Sequence, residues 1–526
     1  MHFNLLQERW LPVRLADDTT RRITPWEITG KEVPILELAP VRADFRSALY
    51  EFLIGLLQTT CPPRDVTDWE ERLERPPDEH VLREAMLGLA GYFNLLGERP
   101  LFLQDLSIEP APKLAIPVSA LLIDAPAEFF IKPGQVDALC PACAAMALFT
   151  MQAFAPSGGR GNRTSLRGGG PLSTILLGDN LWKTLWLNVM PLTERGTAPK
   201  PVDADLPGNV FAWAAPTRTS EKEGSQIWPQ DVHFLHPYWG MPRRYLLLPE
   251  QSEQPVPCSL CEIEGRTIVR KVQQRPHGPN YGDTWRHPLS PYRDQGADKP
   301  MLSIKGTAHI TGYVHWLGLL HGDSGDVQGR ILPARCLAWH ARAGFLDVQD
   351  QARRLLASGY DVDNMKPRQW CEGELPIVAV PPGLQDDFRR EIAALVQAAN
   401  TVRAHLVVAL KEAVYYADKS VSADTSRLAN ATTDFWGRTE TAFYRTVSEL
   451  PGMMKKEDQE GLLQLRQGWA DSLIKEALEI FYGEAETGRF HPDQARRTQK
   501  ALRKMKNFNR KRLRDILELP KDWRTS

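Results

Sequence analysis

No unbroken apolar run in this sequence approaches the roughly 18–20 residues that a membrane helix needs. The opening, Met1-His2-Phe3-Asn4-Leu5-Leu6-Gln7-Glu8-Arg9, lacks the basic flank and apolar core of a secretion signal. A cytoplasmic protein without a membrane partner is therefore expected. Catalytic signatures are missing too: there is no His-Glu-x-x-His, no Gly-x-Ser-x-Gly and no tight His/Asp cluster. Of the 12 histidines, His277 and His287 lie near each other, beside Arg and Pro, and read as structural or solvent-facing. No enzymatic activity is expected. Net charge is nearly absent, with 64 Lys+Arg against 65 Asp+Glu, which argues against a protein that coats nucleic acid with its whole surface. Cysteine is scarce and odd in number: seven residues without a secretion signal do not make a disulfide framework.

What is present is an ordinary globular composition, 42% hydrophobic and 25% charged, over 526 residues. That length is too great for one simple core and implies two or three domains. Trp10-Leu11-Pro12-Val13 reads as a short strand and Ile23-Thr24-Pro25-Trp26 as a helix entry. Phe45, Leu49, Phe52, Leu53 and Leu56 recur at helical spacing, and a second helix is expected over Glu79–Leu96 with Leu82, Met86, Leu89 and Phe93 on one side. From about 111 to 381 short apolar runs alternate with Gly, Pro and Asn, and Leu172–Leu177 and Tyr245–Leu248 suit buried strands or short helices. Beyond Pro381-Pro382-Gly383 the pattern becomes helical. Phe388, Ile392, Leu395, Ala399, Val402, Leu406 and Ala409 mark one long amphipathic helix. Further helices are expected over Asp434–Glu449, over Leu462–Phe481 and from Pro492 onward. The expected fold is α+β: a large mixed α/β N-terminal domain, residues 1–380, and a C-terminal four-helix bundle, residues 381–526.

Cys140-Pro141-Ala142-Cys143 and Cys258-Ser259-Leu260-Cys261 are the sharpest chemical feature. Two residues between thiolates let both sulfurs reach one ion, and two such pairs complete a tetrahedron with no open position. The pairs lie more than a hundred residues apart, so a shared Zn2+ would be structural and would staple distant segments. Two unrelated C-x-x-C occurrences, or one redox pair, are the plainer alternatives. Ala155–Arg163, followed by Leu166–Pro171, is rich in glycine and arginine, which suits close approach to a phosphate or a groove. It matches neither a P-loop nor a dinucleotide fingerprint, and a flexible loop is the competing reading. Gly359–Arg368 is a turn-prone polar stretch stiffened by Pro367. From Gly488 to Ser526 there are 13 Lys/Arg against 4 Asp/Glu, a cationic end that is either a solvated helix face or a nucleic-acid contact.

The order of these features resembles a known family. It runs from Asn4-Leu5-Leu6 and Trp10–Val13 through Phe129, Pro133-Gly134-Gln135 and Ala138-Leu139-Cys140-x-x-Cys143 to the glycine-rich loop. Cys258-x-x-Cys261, His287-Pro288-Leu289-Ser290-Pro291, the Gly359–Arg368 turn and a helical C-terminus follow. Taken together, nearly the whole chain resembles the CasA family, the large subunit of the type I-E CRISPR Cascade complex.

The resemblance implies a non-catalytic subunit that works with CRISPR RNA and the other Cascade subunits. It would recognise the protospacer-adjacent motif in double-stranded DNA, promote duplex opening and R-loop formation, and recruit a helicase–nuclease. Minor-groove readout falls on the glycine loop, Ser157, Gly158, Gly159, Arg160 and Gly161, and on a basic residue, for which Lys271 and Arg275 both remain open. The wedge falls on Asp363, Asn364, Met365 and Lys366, and the RNA-handle contact on Phe129. Arg496, Arg497, Lys500, Arg503, Lys504 and Lys506 would follow a DNA backbone. These roles are physically coherent, since the minor groove offers a degenerate code and a wedge must offset unstacking. Two other readings stay open: a zinc-stapled RNA-binding or ribonucleoprotein assembly protein with no DNA-motif role, and a metal-dependent hydrolase, which the all-thiolate ligand set disfavours.

Overall fold

The computed structural model describes the chain except residues 31–32, 125–130, 133, 160, 195–206, 223–224, 308–311, 323–328, 346–353, 364, 382, 416–424, 487–491 and 525–526. The chain divides into two compact units, one built of Met1–Ala308, Ser324–Arg342 and Gln351–Glu374, the other of His309–Asp323, Ala343–Asp350 and Leu375–Ser526.

The first unit is mixed α/β and is organised around helix α1, Ala43–Thr60, most of whose residues are buried. A helix this apolar on all sides has to be enclosed, and the enclosing groups are aromatic. Phe52 makes edge-on contacts with Trp10, Phe93, Phe102, Phe149 and Trp239 at centroid separations of 5.5–6.2 Å, a favoured geometry for ring quadrupoles. Strands β1 (Leu11–Leu15), β2 (Thr20–Ile23) and β3 (Ile35–Leu38) form an antiparallel sheet with β1 in the centre. Ile23-Thr24-Pro25-Trp26 opens only a single short turn, Pro25–Glu27. The helix expected over Glu79–Leu96 stops at Leu87, capped by Gly88. Asn94–Leu96 is instead a strand paired with Phe3–Asn4, which carries Phe93 into the aromatic cluster. Long-range pairing there overrides the local helical spacing.

Further on, helix α2 (Pro141–Phe154) packs against α1. Strand β4 (Ala115–Pro117) and the long antiparallel hairpin of β6 (Arg244–Pro257) and β7 (Glu264–Arg275) form one sheet. Strand β5 (Ser173–Leu177), β8 (Arg354–Asp363) and β9 (Lys366–Pro376) form another, with β8 central. The Gly359–Arg368 stretch is thus the closed end of a regular hairpin, more than a surface turn. Its base is tied to α1: Tyr360 Oη donates to Asp44 Oδ2 at 2.6 Å, and Ser47 and Ser358 hydroxyls meet at 2.8 Å.

The second unit contains the C-terminal bundle, α3 (Gln385–Leu410), α4 (Thr425–Lys455), α5 (Gln459–Glu486) and α6 (Pro492–Ile516). Helix α3 touches each of the other three, and the periodic residues read from the sequence, Phe388 to Ala409, are those it buries. A stretch within Gln385–Ala413 is apolar enough by composition to cross a membrane, although it holds no unbroken apolar run. Its apolar face is covered by its neighbours in the bundle. Two aromatic residues from upstream complete this core. Tyr313 stacks on Phe443 at 4.3 Å and hydrogen-bonds Thr439 at 2.8 Å, and Trp316 donates to Pro376 O at 2.8 Å. Periodicity within residues 381–526 did not reveal them.

Candidate nucleic-acid interface and metal centre

Cys140 occupies the cap before α2, where its sulfur accepts from the backbone N–H of Cys143 at 3.5 Å. Cys258 and Cys261 lie in the tight turn between β6 and β7. The Cys258 N–H donates to Ile263 O at 3.1 Å, and Glu262, at φ 61°, turns the chain back. Backbone bonds stitch the two segments together. Leu139 and Val269 exchange both hydrogen bonds at 2.9 and 2.8 Å, and Ser259 N–H reaches Ala138 O at 2.8 Å. The four sulfurs consequently lie within 4.8 Å of one another.

Four thiolates at about 2.3 Å from one ion stand about 3.8 Å apart, and Cys140 Sγ and Cys261 Sγ are 3.7 Å apart. The residues fit a tetrahedral ion with soft ligands. Without an ion the four thiols cannot all ionise. Hydrogen bonding to the other three sulfurs, with burial, pushes Cys143 up, while hydrogen bonds from Cys140 and Cys143 bring Cys261 down. Sequence reasoning missed Arg22 on β2, whose Nη2 donates to Cys261 Sγ at 3.2 Å. Burial opposes its charge, but the neighbouring Cys140 and Cys261 sulfurs outweigh that and raise its pKa. A cation here offsets the negative charge of a four-thiolate cluster and ties the N-terminal sheet to it.

The glycine loop is ordered by its own hydrogen bonds. Gly158 N–H donates to Asn162 O at 3.2 Å, Asn162 N–H to Gly159 O at 3.1 Å, and the Asn162 amide to Gly158 O at 3.0 Å. Gly159 and Gly161 have φ of 84° and 79°, backbone that side chains resist. Gly159 faces open space, whereas a Cβ on Gly161 would stand 2.8 Å from Pro276. The end of β7 abuts the loop: Gln274 Nε2 donates to Asn162 Oδ1 at 3.0 Å and His277 N–H to Gly161 O at 2.7 Å. Arg275 is exposed between those two anchors; Lys271 is exposed farther back along β7, opposite Pro117 and Leu248. Arg160 lies outside the described residues.

Arginine in this region divides by burial. Arg167, in the second glycine-rich run, is not available to a phosphate, because it is buried in an ion pair with Glu51. Behind Gly169 the chain packs on Pro156 and Ser157, and a Cβ on Gly170 would stand 2.7 Å from Val362 in β8. Successive glycines therefore bridge the loop to the hairpin.

At the hairpin end Arg368 donates to Asp361 at 2.9 Å and approaches Asp363 at 3.9 Å. Met365 is 53% exposed, an uncommon position for a large apolar side chain. Lys366 is exposed too, while Asn364 and Phe129 lie outside the described residues. His287 is not solvent-facing: it is 3% exposed, and burial followed by the Arg167 charge drives its pKa well down. In the second unit, Arg496, Lys500, Arg503, Lys504 and Lys506 are exposed on α6 and Arg497 is half-buried. Lys504 pairs with Glu412 at 3.0 Å, so it contributes less free charge than its neighbours.

A family model described as CRISPR-associated protein Cse1 (CRISPR_cse1) matches residues 4–480. The chain belongs to the Cse1 family. Solved structures of similar fold include CasA of Thermus thermophilus, 20% identical with a TM-score of 0.71, covering 98% of this chain and 100% of that one. Cse1 of Thermobifida fusca is 18% identical with a TM-score of 0.73, covering 98% of each. A chain of a CRISPR RNA-guided surveillance complex is 17% identical with a TM-score of 0.66, covering 96% of this chain and 99% of that one. At these identities the structures establish the Cse1 fold. Helix α6 begins beyond the segment that the Cse1 model matches.

Proposed function

We propose that this Cse1-family chain is the non-catalytic large subunit of a type I-E Cascade, a cytoplasmic complex built on CRISPR RNA and further Cascade subunits. In that role it reads the protospacer-adjacent motif from the minor groove, promotes duplex opening and R-loop formation, and recruits the helicase–nuclease. One observation carries the reading: the two glycine-rich runs, the end of β7 and the closed end of the β8–β9 hairpin are packed on one another, through His277–Gly161 at one edge and Gly170–Val362 at the other. A groove-reading loop and a strand-separating tip can then engage one duplex in a fixed relation.

Within this reading Arg275 is better placed than Lys271 for the minor groove, because its two neighbours anchor the loop. Met365 and Lys366, with Asp363 and Asn364, supply the wedge, where an exposed apolar side chain can stack into an opened step. Cys140, Cys143, Cys258 and Cys261 hold a structural Zn2+ that fixes the turn between β6 and β7 to the start of α2. Arg496, Arg497, Lys500, Arg503 and Lys506, with Lys504 in a lesser part, follow a DNA backbone, and Phe129 meets the RNA handle. Near-neutral net charge implies that the isolated chain binds duplex weakly and depends on the RNA-bound partners.

The test is duplex binding by the RNA-guided complex with and without this subunit, on targets that differ only in the trinucleotide beside the protospacer. Only complexes containing the chain are expected to discriminate, and Asn364→Ala with Gly159→Asp is expected to abolish the preference. If the subunit changes nothing, the RNA-binding assembly role replaces this one.

A further inference from the structure

Beneath the glycine loop lies a cation with no counter-charge among the described residues. Arg243 is 6% exposed, and its guanidinium packs against the inner side of Gly158, where a Cβ would stand 2.7 and 2.9 Å from its two terminal nitrogens. Nη2 donates to Pro156 O at 2.6 Å, while Nε has no partner. No carboxylate pairs with it among the described residues. The other buried guanidinium of this region, Arg167, shows the ordinary solution, with Glu51 on two of its nitrogens and a serine beside them. A buried charge is normally paired, because desolvating it alone is costly. Burial accordingly weakens the Arg243 guanidinium's hold on its proton, with only Tyr245 acting the other way.

The outer side of the same loop is the reverse. Gly158 and Gly159 are exposed, and Gly159 has nothing near the position of a Cβ. The backbone of Gly158 stands between that open face and the guanidinium, with Asn162 Cβ beside the guanidinium on the inner side. A charge behind a thin, low-dielectric wall acts on whatever docks in front of it more strongly than a surface lysine screened by water.

We infer that the outer face of Gly158–Gly159 seats one phosphodiester of the target DNA backbone, with the buried Arg243 guanidinium as its counter-charge. This rests on the reading that the glycine loop meets DNA, and it names the backbone phosphate as what that face binds. Arg243 is a positioning residue that touches no base, so it raises affinity equally for preferred and non-preferred motifs, since a phosphate contact carries no sequence information.

The experiment uses the assembled RNA-guided complex and target duplexes in which one linkage at a time near the motif is a neutral methylphosphonate. In the wild type one linkage is expected to be exceptional, its neutralisation weakening binding roughly tenfold or more, as coupling between close charge pairs does. With Arg243→Met that linkage becomes as insensitive as its neighbours, and the salt slope falls by about one unit. Arg243→Lys retains the charge and keeps the sensitive linkage. A motif-selective wild type with no exceptional linkage overturns the inference while leaving the proposed function standing. Equal sensitivity of that linkage in wild type and Arg243→Met overturns it as well. Loss of motif selectivity in the wild type instead removes the functional reading itself. The wild-type scan and Arg243→Lys decide the matter even where Arg243→Met does not assemble.

Discussion

Arg167 Nη2 stands 2.9 Å from Glu51 Oε2, with both side chains 3% exposed. The same guanidinium donates to Ser173, Ser290 and the Ala153 carbonyl, and lies 5.2 Å over the Phe154 ring. One arginine thereby joins α1, the end of α2, β5 and the His287–Pro291 segment. Removing one partner of such a pair leaves an uncompensated charge in a dry site, at a cost of about 3–5 kcal/mol. Arg167→Ala is expected to lower stability by that amount in urea unfolding. Arg167→Met with Glu51→Leu, which removes both charges, is expected to lose less than Arg167→Ala. A double variant no better than the single would show that the hydrogen bonds outweigh the charges.

The four-cysteine cluster predicts a metal content. Purified protein is expected to carry about one zinc per chain, and Cys140→Ser with Cys258→Ser to carry none and to unfold at lower temperature. Wild-type protein purified without added chelator and found metal-free would remove the zinc assignment.

Helix α6 predicts a salt effect. Arg503→Glu with Lys506→Glu is expected to weaken DNA binding by the complex for every motif alike. It should also flatten the dependence on salt by up to about two units, roughly 0.9 for each phosphate no longer neutralised. Lys504→Ala is expected to do less than Arg503→Ala, because Lys504 already faces Glu412. Unchanged affinity in the double variant would take the basic face out of the DNA path.

His236 predicts acid sensitivity. Its ring is 2% exposed, with Nδ1 3.0 Å from Asn209 O and Nε2 3.1 Å from the Tyr281 hydroxyl. Asn209 O can only accept, so the neutral ring carries its proton on Nδ1 and Nε2 accepts from Tyr281. Burial lowers its pKa to about 4. The unfolded chain protonates this histidine below about 6.5 and the folded one does not, so stability is lost as pH falls from about 6.5 to 4. For a shift of this size the loss is on the order of 3 kcal/mol. Urea midpoints at pH 7 and pH 5 measure it, and His236→Gln is expected to flatten the difference.

The bundle was legible before any coordinates because helical periodicity is local: Phe388, Ile392 and Leu395 share a face whatever surrounds them. The same argument failed at 79–96, where Leu89 and Phe93 kept helical spacing but Gly88 and the pairing of Asn94–Leu96 with the N-terminus ended the helix. Both C-x-x-C pairs were legible as candidate metal ligands, since two residues between thiolates is a local geometric fact. That they meet was decided by the β6–β7 hairpin, which carries residue 258 back to residue 140 through the Leu139–Val269 pairing.

Charge was the least legible property. A sequence counts Arg22, Arg167, Arg243 and Arg503 alike, yet the fold sets one against a sulfur cluster, pairs one with Glu51, buries one with no carboxylate partner among the described residues and leaves one in water. The sequence alone determined where the bundle helices and the thiol pairs lie, because those depend on neighbours a few residues away. Only the tertiary structure decided what each cation faces, because burial and pairing depend on residues far away in the sequence.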